Sequence, residues 1–191
     1  MKRLFIEGKD PTTYAYFGWA HEFGMDTEFY GYVEGYKEAG DILVENAIGA
    51  DLADNKIRDT LIFPILFSYR QFLELRVKMN YIKFSLEDNS SKKEFINKTS
   101  HDLKRAWDDY VKPLVLEDAK LINMMDEINQ LQSYIYEFND LDPDGFRFRY
   151  PINKKLDSLN KDWEYLDLVN LKHRMNEMYD LMEDIEYMLA H

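Results

Sequence analysis

One group of ionisable residues stands out in a stretch that is otherwise apolar. Arg70, Glu74 and Lys78 are spaced by four residues, so on a helix their side chains share a face and the two cations can bracket the carboxylate. An unpaired buried charge is costly, so we expect a carboxylate or an anionic ligand to meet Arg70. The same spacing is compatible with a buried Arg70–Glu74 pair that only orients two helices.

A histidine and an aspartate open another predicted helix. His101 and Asp102 follow the polar stretch SLEDNSSKKEFINKTS, and Thr99 and Ser100 are suitable N-caps. Backbone N–H groups at a helix N-terminus favour anions, and a histidine there can titrate near neutral pH and act as an acid or a base. The alternative for His101 is a local capping or surface role.

A short segment after the turn NDLDPDG alternates aromatic and basic residues. If residues 146–150 are extended, Arg147 and Arg149 point to one side and the three aromatic rings to the other. Such an arrangement can stack a base and hold a phosphate. Alternatively, the rings pack into the bundle and both arginines pair with the acidic N- and C-terminal flanks of the chain. The segment is the one strand-like piece predicted, and it is too short to found a sheet.

Several kinds of site are excluded by what the sequence lacks. It contains no cysteine, which excludes disulfides, thiolate zinc sites, iron–sulfur clusters and a cysteine nucleophile. It has neither the Walker pattern nor GxGxxG, and its four histidines form neither HExxH nor a Glu-x-x-His pair. We therefore expect no metal and no cofactor.

Hydrophobic periodicity predicts five helices that position these residues. They cover residues 27–49, 60–84, a stretch from about 101, residues 117–138 and a last helix from Asp162 or Asp167. Residues 61–75 are apolar on nearly every side, which is typical of a central buried helix. Pro64 marks either its first turn or a kink in a longer helix that begins near Asp54.

These elements predict an all-α helical bundle with one short extended excursion at 146–150. Residues 1–191 form a single predicted domain, with an N-terminal extension over 1–26 and a flexible loop over 86–100. Gly31, Gly35 and Ala39 lie four residues apart on the first helix. Because each interior glycine costs about 1 kcal/mol relative to alanine, this spacing predicts a close approach of another backbone. The alternative is a weak first turn of this helix that frays.

The charge is distributed unevenly along the 191 residues. The net charge is −12; residues 1–60 and 162–191 each carry −6, and residues 61–161 are neutral. This distribution disfavours broad binding to a phosphate backbone but leaves room for a local basic groove in the middle. No apolar stretch is typical of a secretion signal or a membrane span, which predicts a cytoplasmic protein without membrane contact.

Four pieces of the chain together resemble a known superfamily. FPILFSYRQFLELRVK, HDLKRAWDDY, DLDPDGFRFRYPINK and DLVNLKHRMNEM resemble bacterial and phage-borne members of the higher eukaryotes and prokaryotes nucleotide-binding (HEPN) superfamily. The resemblance implies a HEPN-like helical domain that dimerises. Many such proteins are metal-independent ribonucleases of toxin and antiviral systems, and others are non-catalytic binding modules.

The chain departs from the ribonuclease pattern of that superfamily. Members that cut RNA carry an arginine, four to six residues and then a histidine on one late helix, whereas here His173 immediately precedes Arg174. Relatives often read Tyr-Arg-His near the central arginine, and here the sequence is Tyr69, Arg70, Gln71.

The residue pattern and the resemblance together predict a site, and the charge distribution adds a second function that competes with the one the resemblance implies. The catalytic candidates are His101, Arg70 and Glu74, and the ligand-binding candidates are Asp102, Lys78, Arg147 and Arg149. The first function is a HEPN-like accessory or effector protein of a bacterial defence or toxin–antitoxin system, which binds RNA or a nucleotide and, if it cleaves RNA, does so without metal. The alternative is a non-catalytic acidic antitoxin or inhibitor that neutralises a basic partner through the two acidic flanks.

Overall fold

A computed structural model describes residues 4, 8–13, 15–16, 25–49, 55–159 and 165–191. Within these ranges the chain forms six helices and no strand, which confirms the predicted all-α helical bundle. The helices are α1 (Met25–Gly49), α2 (Asn55–Phe84), α3 (Asn89–Thr99), α4, α5 (Met125–Leu141) and α6 (Leu168–Ala190). The helix α4 consists of Leu103–Ala106, a π-helical turn Trp107–Val111 and Lys112–Glu117, and a 3-10 helix Ala119–Met124 leads into α5.

The predicted central helix is α2, which contacts α1, α3, α4 and α6. It is buried on several sides over its second half, where Tyr69, Phe72 and Val77 are inaccessible to solvent. It begins at Asn55, and Pro64 lies inside it. Of the two alternatives left open by the sequence, the longer helix is therefore correct. A hydrophobic core cluster around α2 includes residues from all six helices.

The predicted flexible loop over 86–100 is wrong, because most of this stretch is α3. Asp88 caps the helix, and its carboxylate accepts a hydrogen bond from the Ser91 N–H at 2.8 Å. Phe95 is inaccessible to solvent and belongs to the core cluster. A helix that buries few residues shows a polar composition, so the sequence pattern concealed it.

The cap predicted for the next helix is also wrong. Thr99 is the last residue of α3, and Ser100 follows it with a positive φ of 45°. The N-cap of α4 is Asp102, whose carboxylate accepts from the Arg105 N–H at 2.9 Å. Two starting points were predicted for the last helix, Asp162 and Asp167. Asp167 is the N-cap of α6, and Asp162 lies outside the described residues.

The predicted extended excursion at 146–150 is wrong as well. The N–H groups of Arg149 and Tyr150 both donate to the Phe146 carbonyl at 3.1 Å, so this segment is a tight turn. It follows Gly145, which has a positive φ of 69°. Residues that carry a side chain rarely adopt this conformation. The nearest strand-like feature is an isolated bridge between residues 152 and 158.

None of the helices among the described residues is both long and apolar enough to cross a membrane.

The methionines of α6 face the protein interior, because Met175, Met178 and Met182 are buried in the core cluster.

The backbone approach predicted on the first helix is not found at Gly35, and a close contact with a side chain occurs at Gly40 instead. A Cβ atom built on Gly35 would have no neighbour within 4 Å, whereas one built on Gly40 would lie 2.5 Å from Cε1 of Tyr69. The ring of Tyr69 is held there by its hydroxyl, which donates to Asp41 at 2.7 Å. The contact between α1 and α2 therefore requires glycine at position 40 and not at position 35.

Alanine at these two positions should have opposite effects. We expect Gly40→Ala to lower the free energy of unfolding by about 1–3 kcal/mol, because the methyl group overpacks against the Tyr69 ring. We expect Gly35→Ala to raise it by about 0.5–1 kcal/mol through helix propensity alone. Urea unfolding followed by circular dichroism measures both. Equal effects of the two substitutions would contradict the close approach at Gly40.

Candidate functional site

Three parts of the chain meet around the polar residues of α2. They are the middle of α2, the junction between α3 and α4, and the turn that follows α5. The carboxylate of Glu74 lies at the centre of this meeting point and is buried. Its Oε2 accepts from Arg70 Nη1 at 3.0 Å, and its Oε1 accepts from Lys78 Nζ at 2.7 Å. The predicted bracketing of the carboxylate by two cations is therefore present.

Arg70 is fully enclosed by protein, with 0% of its surface exposed. Each of its three guanidinium nitrogens donates within the chain. Besides Nη1 to Glu74, Nε donates to the carbonyl of Asp142 at 3.3 Å and Nη2 to the carbonyl of His101 at 2.5 Å. The guanidinium thus joins α2 to both other parts of the site and does not face solvent.

The two cations hold the backbone of the α3–α4 junction. Lys78 Nζ donates to the carbonyl of Ser100, and Arg70 donates to the next carbonyl, that of His101. Carbonyls at a helix C-terminus lack intrahelical partners, so such donors stabilise the junction. This geometry agrees with the alternative that the buried pair orients neighbouring elements.

Burial and charge act in opposite directions on the two ionised partners. Burial lowers the pKa of Arg70 below its usual value, although Glu74 and Asp142 oppose this. Burial raises the pKa of Glu74, but Lys78, Arg70 and His101 outweigh it and hold that pKa below its usual value. A carboxylate with a lowered pKa stays ionised at neutral pH, so Glu74 is a permanent anion facing the imidazole.

The imidazole of His101 lies at the edge of this cluster, with 41% of the side chain exposed. Its Nδ1 lies 3.0 Å and 3.2 Å from the two carboxylate oxygens of Glu74. When Nδ1 carries the proton it donates to Glu74, and Nε2 is then the basic nitrogen. A carboxylate that orients an imidazole in this way is the arrangement used for general base catalysis.

Arg149 lies beside His101 on the turn after α5. Its Nε donates to the Gly145 carbonyl at 2.5 Å, and the residue is exposed. A Cβ atom built on Gly145 would lie 3.3 Å from Arg149 Nη2 and 3.5 Å from the His101 Cβ. The guanidinium and the imidazole therefore flank the same glycine. Arg70, His101 and Arg149, three of the predicted site residues, therefore lie together around this turn.

Three of the four predicted ligand-binding residues serve contacts within the protein. Lys78 is buried and donates to Glu74 and to the Ser100 carbonyl, as described above. The carboxylate of Asp102 caps α4, as described above. Arg147 Nη1 donates to the Leu141 carbonyl at 3.0 Å, and the side chain lines a cleft of about 540 Å³ together with residues of α2, α5 and α6.

A further residue at the site, not predicted from the sequence, is Asp142, a buried carboxylate that accepts from the Arg147 N–H at 3.0 Å. Nothing in the DLDPDG turn distinguishes this aspartate from its neighbours.

Comparison of the chain with protein-family models, with curated proteins and with solved structures gave no match. The HEPN resemblance therefore stays a prediction.

Removal of the enclosed guanidinium should destabilise the fold. We expect Arg70→Met to lower the free energy of unfolding by about 3–5 kcal/mol, because Glu74 and two carbonyls lose a buried donor. The matched control is Arg105→Met, which removes an exposed pair with Asp109 at 3.7 Å and should cost less than about 1 kcal/mol. Urea unfolding measures both. A loss for Arg70→Met no larger than that for the control would show that the cluster does not hold the junction.

Proposed function

We propose that this protein is a HEPN-like accessory or effector protein of a bacterial defence or toxin–antitoxin system that binds RNA or a nucleotide. The observation that carries the proposal is the imidazole of His101, oriented by the buried Glu74 and placed beside the exposed Arg149. This arrangement unites a base and a cation at one surface. Cleavage of an RNA phosphodiester uses both, since a cation stabilises the phosphate oxygens and a base takes the proton of the attacking 2′-hydroxyl.

In this proposal Arg149 contacts the phosphate and Arg70 positions the site. A guanidinium matches two phosphate oxygens with paired N–H donors, and Arg149 is exposed whereas Arg70 is enclosed. Arg70 acts through the groups it binds, because it fixes the Glu74 carboxylate and the His101 carbonyl. The HEPN resemblance supports the nucleic-acid class of the ligand.

The same geometry supports RNA cleavage without a metal. The 2′-hydroxyl of the substrate attacks the adjacent phosphorus while Nε2 of His101 takes its proton. A 2′,3′-cyclic phosphate forms, and the 5′-oxygen leaves with a proton from water. Arg149 stabilises the charge that builds up on the phosphate oxygens, and Glu74 stabilises the imidazolium. General base catalysis of this kind contributes on the order of 10²- to 10⁴-fold.

RNA cleavage in excess EDTA tests this function. We expect the wild type to bind a single-stranded RNA oligonucleotide and to cleave it in EDTA, and His101→Ala to cleave about 10²- to 10⁴-fold more slowly because the base is lost. The matched control is His173→Ala, an exposed histidine of α6, which should cleave like the wild type.

Three outcomes would contradict parts of the proposal. Cleavage abolished by EDTA would contradict the metal-independent step. Cleavage that is unchanged in His101→Ala would contradict the role of His101 as the general base. If the wild type bound neither RNA nor a nucleotide in a filter-binding assay, the proposed function would be wrong.

A second function is supported by a separate observation, the contact between the two acidic flanks. The helices α1 and α6 pack against each other, with Tyr179 donating to Glu34 at 3.1 Å and Lys172 paired with Glu45 at 2.5 Å. An acidic antitoxin or inhibitor would use this surface to neutralise a basic partner. Internal cations already neutralise part of it, so the RNA site is the better supported function.

We also propose that the chain forms a homodimer. Tyr32 and Ile42 are exposed on α1, on either side of the open position at Gly35, and exposed apolar side chains favour association. Light scattering of the full chain should give twice the monomer mass at micromolar concentration, and Ile42→Glu should weaken the association. The control is Leu116→Glu at an exposed position of α4. A monomer mass for the wild type across this range would refute the dimer.

A further inference from the structure

Two exposed aromatic rings are stacked on the turn beside the site. The ring centroids of Phe146 and Tyr150 lie 5.3 Å apart with an interplanar angle of 28°, and the residues are 41% and 51% exposed. Phe148, between them in sequence, is buried in the core cluster. The sequence predicted all three rings on one side, but the tight turn places the first and last of them together at the surface and directs the middle one inward.

A guanidinium adjoins the same pair of rings. The Cζ atom of Arg149 lies 4.7 Å from the centroid of the Phe146 ring, and Arg149 also flanks His101 across Gly145. The three planar groups of Phe146, Arg149 and Tyr150 are here named the platform. Because the platform includes Arg149, it adjoins the position proposed above for the phosphate.

The platform is held in place by short local contacts. The Phe146 N–H donates to Asp144 Oδ1 at 3.1 Å, and the Phe146 carbonyl accepts the N–H groups of Arg149 and Tyr150. The buried Phe148 anchors the turn to the core. The two rings are therefore presented to solvent on an ordered backbone. This reduces the conformational entropy that the protein loses when a ligand stacks on them.

Basic residues continue from the platform along the chain. Lys154 and Lys155 are exposed at the tip of a turn closed by the bridge between residues 152 and 158. Proteins that bind single-stranded nucleic acid combine aromatic stacking surfaces with cations that follow the backbone. The segment from Phe146 to Lys155 carries both features, although the whole chain is strongly acidic.

We propose that the platform binds an unpaired nucleobase of single-stranded RNA and thereby selects single strands over duplexes. The proposal rests on the proposed function and names its substrate class. Every base has a π face that can stack on an aromatic ring, and Arg149 would hold the adjoining phosphate. In an A-form duplex the bases are already stacked and paired, so their faces are not available to the platform.

The test compares binding of one RNA sequence as a single strand and as a duplex to the full chain. We expect the single strand, labelled with 2-aminopurine, to bind about tenfold more tightly than the duplex, with its fluorescence quenched on stacking. Tyr150→Ala and Phe146→Ala should each weaken single-strand binding on the order of tenfold and relieve the quenching. Neither substitution should change duplex binding.

Two control variants separate stacking from a general loss of structure. Tyr150→Phe keeps the ring and should bind the single strand within about twofold of the wild type. Tyr165→Ala removes a ring that is 92% exposed elsewhere in the chain and should leave both affinities unchanged. An unchanged unfolding midpoint for Tyr150→Ala would show that its effect does not come from misfolding.

The outcomes distinguish failure of this inference from failure of the proposed function. If the single strand binds and is cleaved with dependence on His101, but Tyr150→Ala and Phe146→Ala bind it like the wild type, the platform is not a nucleobase site and the proposed function stands. Equal affinity of the wild type for single strand and duplex also overturns the selection. The inference is also wrong if the wild type binds no RNA, or if Tyr150 is found to contact a protein partner and not RNA.

Discussion

The buried carboxylate of Glu74 is the interaction on which the rest of the site depends. A carboxylate removed from water is costly unless cations and donors replace its hydration, and Arg70 and Lys78 do so from one helical turn away on either side. The same two cations also bind the carbonyls of Ser100 and His101. One ionic cluster therefore fixes both the backbone and the imidazole at the start of α4.

An apolar contact could not replace this cluster and keep the same geometry. Hydrophobic burial is non-directional, so a leucine at position 74 would fill space without orienting an imidazole. Buried ion pairs contribute little net stability compared with well-packed apolar residues. We infer that the cluster serves to define the relative position of α2, α4 and the turn after α5, and that His101 and Arg149 meet as a consequence.

Several carboxylates of the acidic flanks are held in ion pairs between helices. Arg76 is buried and pairs with Glu183 and Glu186 at 2.6 Å, and Lys172 pairs with Glu45. These contacts belong to α2, α6 and α1, whereas His101 and Arg149 lie at the start of α4 and on the turn after α5. The ion pairs of the acidic flanks therefore lie on other elements than the two residues proposed to contact RNA.

Features that follow from local geometry could be predicted from the sequence. An α-helical period of 3.6 residues predicted the class of the fold and the central position of α2, and a spacing of four forces Arg70, Glu74 and Lys78 onto one face. Long-range packing controls the rest. Most of the polar 86–100 stretch becomes a helix, 146–150 becomes a turn with two surface rings, and the imidazole at position 101 meets a carboxylate 27 residues away. Such contacts depend on how helices pack, and no periodicity in the sequence encodes that.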